Sequence, residues 1–142
     1  MSKSENDPQR KKVYEAESSV GQGKGFYSVK GMQKYINNIV KSEWFKKNFD
    51  IDHVQVYEQK KASYACAFIP CPRIGAIWIP KKMFKELTVL HELSHIVTSL
   101  NVPYHGTLFV SNYIKLVKEY MGKKKAIQIS ERFKTYNVRW KR

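Results

Sequence analysis

The hydrophobic pattern of the chain changes its period at Pro80, and this change constrains the fold more than any other feature. Before Pro80, three short runs (residues 54–57, 63–69 and 75–79) are rich in β-compatible residues and predict strands. Because the connections between them are too short for crossover helices, we expect a small antiparallel three-stranded sheet. After Pro80, apolar residues recur at helical spacing. The chain is therefore predicted to be an α+β protein.

About four helices are expected to pack with this sheet. Apolar residues at three- and four-residue steps predict the first helix from Ser28 to about Lys47. An apolar stripe from Val89 to Leu100 predicts the second helix, and a stripe from Phe109 to Tyr120 predicts the third. The fourth runs from Lys123 to about Tyr136. Residues 13–20 fit either a short helix or an extended segment.

The composition fits one small domain without a membrane-spanning segment. At 142 residues, 42% of them hydrophobic, the chain can bury one core but is too short for two domains. We expect a flexible N-terminal arm at residues 1–12 and a single domain at residues 13–142. No apolar run reaches the roughly 18 residues that cross a bilayer, and the polar residues 1–12 exclude a secretory signal. With only Cys66 and Cys71 as cysteines, the chain is expected in a reducing, cytoplasmic compartment.

Charge is the second constraint on function. Basic residues outnumber acidic ones by 26 to 12, which gives a net charge of +14 and favours phosphate-bearing partners. The excess is concentrated in Lys123–Arg142, which contains eight basic residues and one acid, Glu131. This segment fits a solvated surface that keeps the protein soluble, or a site of non-specific nucleic-acid contact. No base-reading signature accompanies the charge, so both interpretations stay open.

The segment His91-Glu92-Leu93-Ser94-His95 lies inside the second predicted helix. Positions i and i+4 share one face of a helix, so the two imidazoles can reach one metal ion at about 2.0–2.1 Å each. Glu92 is one position along and can touch a water on the metal without ligating the ion. This pattern predicts zinc-dependent hydrolysis, in which the metal lowers the pKa of water and Glu92 takes its proton. Zinc is the expected ion, although imidazoles also suit nickel, copper and iron.

A third histidine can complete this site. His105 lies ten residues after His95, just past the break at Asn101–Pro103. Because the next predicted helix doubles back, His105 can close a three-ligand site that keeps one position open for water or substrate. His53, the remaining histidine, is interpreted as an ordinary residue.

The motif and its flanks resemble a known family. The HELSH segment followed by Val102-Pro103-Tyr104-His105-Gly106 and Phe109 is similar to the SprT-like zinc metallopeptidases. The similarity is closer to short metallohydrolases of actinobacteria and their phages, and it covers nearly the whole chain. It is carried by the segment Asp7–Glu17, by Ile77-Trp78-Ile79-Pro80, by Val89-Leu90, by Met121-Gly122 and by Ala126, Ile129 and Phe133.

This resemblance implies a zincin-like domain with HExxH on a central helix, one Zn²⁺ ion on His91, His95 and His105, and Glu92 as the general base. It implies a metallopeptidase acting on a protein or peptide substrate, in the host cytoplasm if the chain is phage-encoded. Larger SprT-like proteins often append a Cys-rich zinc ribbon. This chain has no second cysteine pair, so a DNA-recognition module of that kind is not expected.

Two features beside the motif have open interpretations. Tyr104 and Tyr113 are candidates for stabilising an oxyanion, or are core or rim residues. The strand Ile77–Ile79 is a candidate sheet edge to which a peptide adds as a strand, and it can also simply pack on the motif helix. The alternative function is a basic nucleic-acid-associated protein with a structural metal site. Structural zinc sites usually have four protein ligands, whereas this sequence offers three.

Overall fold

The computed structural model describes residues 7–98 and 105–140. These residues form six α-helices and a three-stranded sheet, so the predicted α+β class is confirmed. In chain order the elements are α1 (Arg10–Ser18), α2 (Val29–Lys41), α3 (Glu43–Asn48), β1 (His53–Glu58), β2 (Cys66–Cys71), β3 (Ile74–Ile79), α4 (Glu86–Val97), α5 (Thr107–Met121) and α6 (Lys123–Thr135). Within the described ranges, none of the helices is both long enough and apolar enough to cross a bilayer.

The chain divides into two compact units. The strand unit, residues 23–97, contains the sheet with α2, α3 and α4. The helical unit, described over residues 7–22, 98 and 105–140, contains α1, α5 and α6.

The sheet of the strand unit is mixed, so the prediction of an all-antiparallel sheet is wrong. Its strand order is β1-β3-β2, with β1 parallel to β3 and β2 antiparallel to β3. A tight turn at Pro72-Arg73 pairs β2 with β3 and leaves β3 between the other two strands. The connection from β1 to β3 is therefore residues 59–73, which include β2 and exceed the dozen or so residues that a parallel crossover needs. The prediction assumed that consecutive strands pair.

The central position of β3 also excludes the interpretation of Ile77–Ile79 as a candidate sheet edge. This strand is hydrogen-bonded on both sides, and Ile77 and Ile79 are fully buried. Trp78 alternates to the opposite face, where its ring stacks on Tyr57. The interpretation in which the two isoleucines pack inward agrees with this arrangement.

The predicted helix from Ser28 to Lys47 is two helices, because Ser42 interrupts it. Ser42 has an extended backbone, with φ −68° and ψ 148°, and its hydroxyl accepts a hydrogen bond from the Phe45 N–H at 3.3 Å. A serine that satisfies a free helix N–H favours a new helix start over continuation. This split and α1, which contains part of the ambiguous segment 13–20, raise the number of helices to six in the described residues.

The helical unit follows the predicted pattern where it is described. α5 ends before Gly122, whose φ of 99° is a conformation that glycine adopts without strain. α6 buries Ala126, Ile129 and Phe133, as predicted. The predicted helix end at Leu100, Asn101 and Pro103 lies outside the described residues. Of the predicted N-terminal arm, residues 1–6 also lie outside them, whereas Asp7 and Gln9 are buried and α1 begins at Arg10.

Candidate metal centre

The helix α4 places two histidine rings side by side in the strand unit. The ring centroids of His91 and His95 are 5.0 Å apart, with the ring planes inclined at 69°. His91 is buried and His95 is half-buried. The i, i+4 spacing in the sequence therefore becomes the shared face that two ligands of one ion require.

Both ends of α4 are anchored within the strand unit. At the first turn, the Glu86 carboxylate accepts hydrogen bonds from the Lys24 N–H at 2.7 Å and from the Tyr35 hydroxyl at 3.0 Å. At the last turn, Ile96 lies directly over Gly75 of β3: a Cβ built on Gly75 would come within 2.4 Å of the Ile96 Cδ1 atom. The absence of a side chain at Gly75 lets the motif helix approach the sheet closely.

The Glu92 carboxylate lies beside the histidine pair. Glu92 is buried, and its Oε2 atom is 3.8 Å from Nε2 of His91. If His91 held a metal ion, a carboxylate this close to its ring nitrogen could accept a proton from a water bound to that ion. The arrangement agrees with the position of Glu92 in the sequence motif.

In the helical unit, His105 is held by the N-terminal segment through both its backbone and its ring. The Asp7 Oδ1 atom accepts the His105 backbone N–H at 3.0 Å, and Asp7 Oδ2 is 2.7 Å from Nδ1 of the ring. Gln9 donates from Nε2 to the His105 carbonyl oxygen at 2.9 Å. A carboxylate that faces Nδ1 favours the tautomer in which Nδ1 donates, and a neutral ring in that tautomer has its Nε2 lone pair available to a metal.

Aromatic rings also fix the orientation of the His105 imidazole. Tyr14 of α1 lies on one side, with ring centroids 5.1 Å apart, and Phe109 of α5 contacts the ring edge-on at 5.0 Å. His105 itself is only 3% exposed. Hydrogen bonds and packing together leave this side chain little rotational freedom.

The three predicted histidines form a group that could hold a metal ion. One ligand atom from each of His91, His95 and His105 lies within 4.8 Å of the other two. Ligands that each bind an ion at about 2.0–2.1 Å must lie within a few ångström of one another, and this group meets that condition. His53, by contrast, is exposed and contacts Gln55 at 3.2 Å.

Sequence reasoning missed Asp7 and Gln9, which it assigned to a flexible arm. Both belong to the Asp7–Glu17 segment that carries the family resemblance, and this was the only signal in the sequence that could have marked them. Tyr113 lies in the core of the helical unit: it is fully buried, and its hydroxyl donates to Glu17 Oε2 at 2.9 Å. Tyr104 lies outside the described residues.

Comparisons of this chain with protein-family models, with curated proteins and with solved structures gave no match. The SprT-like resemblance therefore stays a prediction that rests on the motifs themselves.

Proposed function

We propose that this protein is a zinc-dependent hydrolase, and specifically a metallopeptidase. The observation that carries the proposal is the group of His91, His95 and His105 with the buried Glu92 carboxylate beside it. Three imidazole ligands that keep one coordination position open are typical of catalytic zinc sites, and a carboxylate beside them can serve as the general base. The alternative of a structural zinc site is less well supported, because such sites usually have four protein ligands and the described group contains three.

In the proposed hydrolysis, the histidines bind the metal ion, Glu92 transfers a proton and Asp7 positions His105. A zinc ion held by the histidines would lower the pKa of a coordinated water toward about 7 and polarise the substrate carbonyl. Glu92 accepts the proton of the attacking water and passes it to the leaving amine, which is general base and then general acid catalysis. Asp7 acts as a positioning residue, since it orients His105 without reaching a ligand position of its own.

The sheet offers one edge that suits a peptide substrate. The outer edge of β1 is occupied by Gln33 of α2, which donates to the Val54 carbonyl and accepts from the Val56 N–H, both at 2.8 Å. The edge strand that packs against the motif helix is β2. An extended peptide added to β2 would gain main-chain hydrogen bonds beside α4, a recurring way to bind peptide substrates.

Non-specific nucleic-acid binding through Lys123–Arg142 is a second candidate activity. While α6 buries its apolar stripe, it exposes Lys123, Lys124, Arg132 and Lys134. Exposed cations on a helix can contact a phosphate backbone, with affinity that falls steeply as salt rises.

The variant Glu92→Gln tests the proposed function. With zinc added, the wild-type protein should cleave members of a quenched-fluorescent peptide library. Glu92→Gln should lose at least about 100-fold of that rate, the smallest contribution expected of a general base. Its zinc affinity and unfolding temperature should stay those of the wild type, because the amide keeps the shape of the side chain.

The matched control is Glu43→Gln, which changes an exposed glutamate of α3 in the same unit and should leave the rate unchanged. Full turnover by Glu92→Gln would contradict the role of this residue. No cleavage by the zinc-loaded wild type would contradict the assignment as a peptidase.

A further inference from the structure

One face of the sheet presents three aromatic side chains, one from each strand. Tyr57 of β1 is the register partner of Trp78 of β3, and their rings stack with centroids 4.9 Å apart and planes inclined at 22°. Phe68 of β2 meets Trp78 edge-on at 5.6 Å. Tyr57 is 44% exposed and Phe68 is 57% exposed. We call these three residues the aromatic face.

The aromatic face is not part of the core of the strand unit. Gly75, which alternates to the other side of β3, contacts Ile96 of α4, so the motif helix packs on the opposite face. Large aromatic side chains normally contribute to a core because each buries a large apolar area. Here Trp78 is half-buried between the exposed Tyr57 and Phe68, and a contiguous, partly exposed aromatic group on a sheet typically marks a binding surface.

Lysines flank one end of the aromatic face. Lys60 and Lys61 follow β1, and Lys81 and Lys82 follow β3; all four are exposed. Because β1 and β3 are parallel, these lysines lie at the same end of the sheet, where Gln59 N–H also donates to the Ile79 carbonyl at 2.8 Å. Tyr57 and Trp78 are the aromatic residues nearest to that end.

We propose that the aromatic face binds single-stranded nucleic acid, with bases stacked on Tyr57, Trp78 and Phe68 and phosphates contacted by the flanking lysines. Aromatic platforms combined with positive charge bind unpaired bases with little sequence preference, because every base has a flat π-face. The net charge of +14 favours a phosphate-bearing partner over a basic or neutral peptide. A duplex keeps its bases stacked on one another, so it cannot use this surface.

The proposal does not use the histidines and is independent of the proposed peptidase activity. It also differs from phosphate contact by Lys123–Arg142, which would bind duplex and single strand alike. The replacement of Lys123–Lys125 by Gln separates the two surfaces, since it should weaken duplex binding and leave the preference of the aromatic face for single strands.

The test is fluorescence anisotropy of a labelled oligothymidylate of about 12 nucleotides, beside a duplex of equal length, at about 50 and 200 mM salt. Tyr57→Ala and Phe68→Ala should each weaken single-strand binding by about 5- to 150-fold, the cost of one lost base–aromatic stack. The matched control is Tyr27→Ala, which removes a fully exposed tyrosine outside the sheet and should change nothing.

A second readout reports on stacking directly. Oligothymidylate should quench the tryptophan fluorescence of the wild type, and Trp78→Phe should abolish the quenching while Trp44 and Trp140 remain. Wild-type affinity in both alanine variants, or equal affinity for duplex and single strand after replacement of Lys123–Lys125, would overturn the proposal. No binding at the lower salt would also overturn it.

Discussion

The two regions that supply the histidines fix their side chains in different ways. His91 and His95 are one helical turn apart on α4, so the helix itself sets their spacing, and Leu87, Leu90 and Leu93 of that helix are fully buried. His105 lies outside the helices, two residues before α5 begins. Its backbone and ring are held by Asp7, which lies 98 positions earlier in the sequence.

The position of a side chain set by one helix and that of a side chain held by long-range contacts therefore respond differently to substitutions elsewhere in the chain. A substitution elsewhere in the chain leaves the spacing of two residues on one helix unchanged as long as the helix forms. The third histidine is contacted by residues distant in sequence, among them the buried Asp7 carboxylate and, at its carbonyl, Gln9. We therefore expect metal affinity to respond to changes in the N-terminal segment, far from the sequence motif.

The largest effect that tests this comparison is expected at Asp7. Asp7→Ala should weaken zinc affinity by about 10- to 100-fold, the range typical of lost carboxylate–histidine support. Asp7→Asn should also weaken it, because both Asp7 oxygens face donors of His105 and an amide offers only one acceptor, so its NH2 group would face either the backbone N–H or the ring Nδ1–H. Zinc affinity measured by competition with a chromogenic chelator checks both variants.

Stability must be measured beside affinity, since Asp7→Ala also leaves the buried His105 N–H without this acceptor, at a cost of about 1–3 kcal/mol. Glu15→Gln is the matched control, because it changes an exposed acid of the same segment. Within the described residues, the ion pair of Glu15 is with Lys11, at 3.8 Å. Unchanged zinc affinity in a folded Asp7→Ala protein would show that His105 needs no long-range support.

The next effect concerns the close approach of α4 to the sheet. In Gly75→Ala the new Cβ would lie 2.4 Å from Ile96 Cδ1 and 2.8 Å from Ile96 Cγ2, so α4 or β3 must shift. Overpacking of this kind should lower the free energy of unfolding by about 1–3 kcal/mol, measured by urea denaturation. In the background Ile96→Ala, where the clashing atoms are absent, Gly75→Ala should cost much less. Equal costs in both backgrounds would contradict the packing of Ile96 on Gly75.

The smallest effect is expected at Asp52, an exposed carboxylate that we compare with the buried Asp7. At the β2–β3 turn, Arg73 hydrogen-bonds Asp52 at 2.7 and 2.8 Å and also contacts Asp50. The hydrogen bonds from the Arg73 guanidinium hold the pKa of the Asp52 carboxyl below its usual value. A carboxyl with a lowered pKa in the folded state stabilises the protein above its unfolded pKa of about 3.9, and this contribution is lost as pH falls through the folded pKa.

Because Asp52 is exposed, the effect should be slight. Asp52→Asn should lower the unfolding temperature a little at pH 7, and the difference from the wild type should shrink and be lost as pH falls through the lowered pKa of the folded state. Unfolding temperatures from pH 7 to pH 2 provide the check, and a difference that does not change with pH would exclude this carboxylate as its source.

The sequence alone could predict the features that arise from local periodicity. The apolar stripes predicted α4, α5 and α6, and the four-residue spacing predicted that His91 and His95 share one face. These features depend on contacts between residues within one or two helical turns. The spacing of apolar residues in the sequence predicts such contacts directly.

Long-range pairing could not be predicted in the same way. The parallel pairing of β1 with β3 depends on which strands meet across residues 59–73, and no local pattern specifies that choice. The contacts of Asp7 and Gln9 with His105 join residues 98 and 96 positions apart, and a polar, charged segment taken alone is typical of a flexible arm. At Ser42 the capping hydrogen bond to the Phe45 N–H begins a new helix, although the apolar stripe continues across this position.

The central claim is that His91, His95 and His105 together hold one metal ion, and the metal content of purified protein tests it most directly. Protein prepared without added metal should contain about one equivalent of zinc in the wild type and in His53→Ala, which removes the exposed histidine outside the group. His105→Ala should lose that stoichiometric zinc while it remains folded. A folded His105→Ala protein that keeps a full equivalent at wild-type affinity would contradict the three-histidine centre.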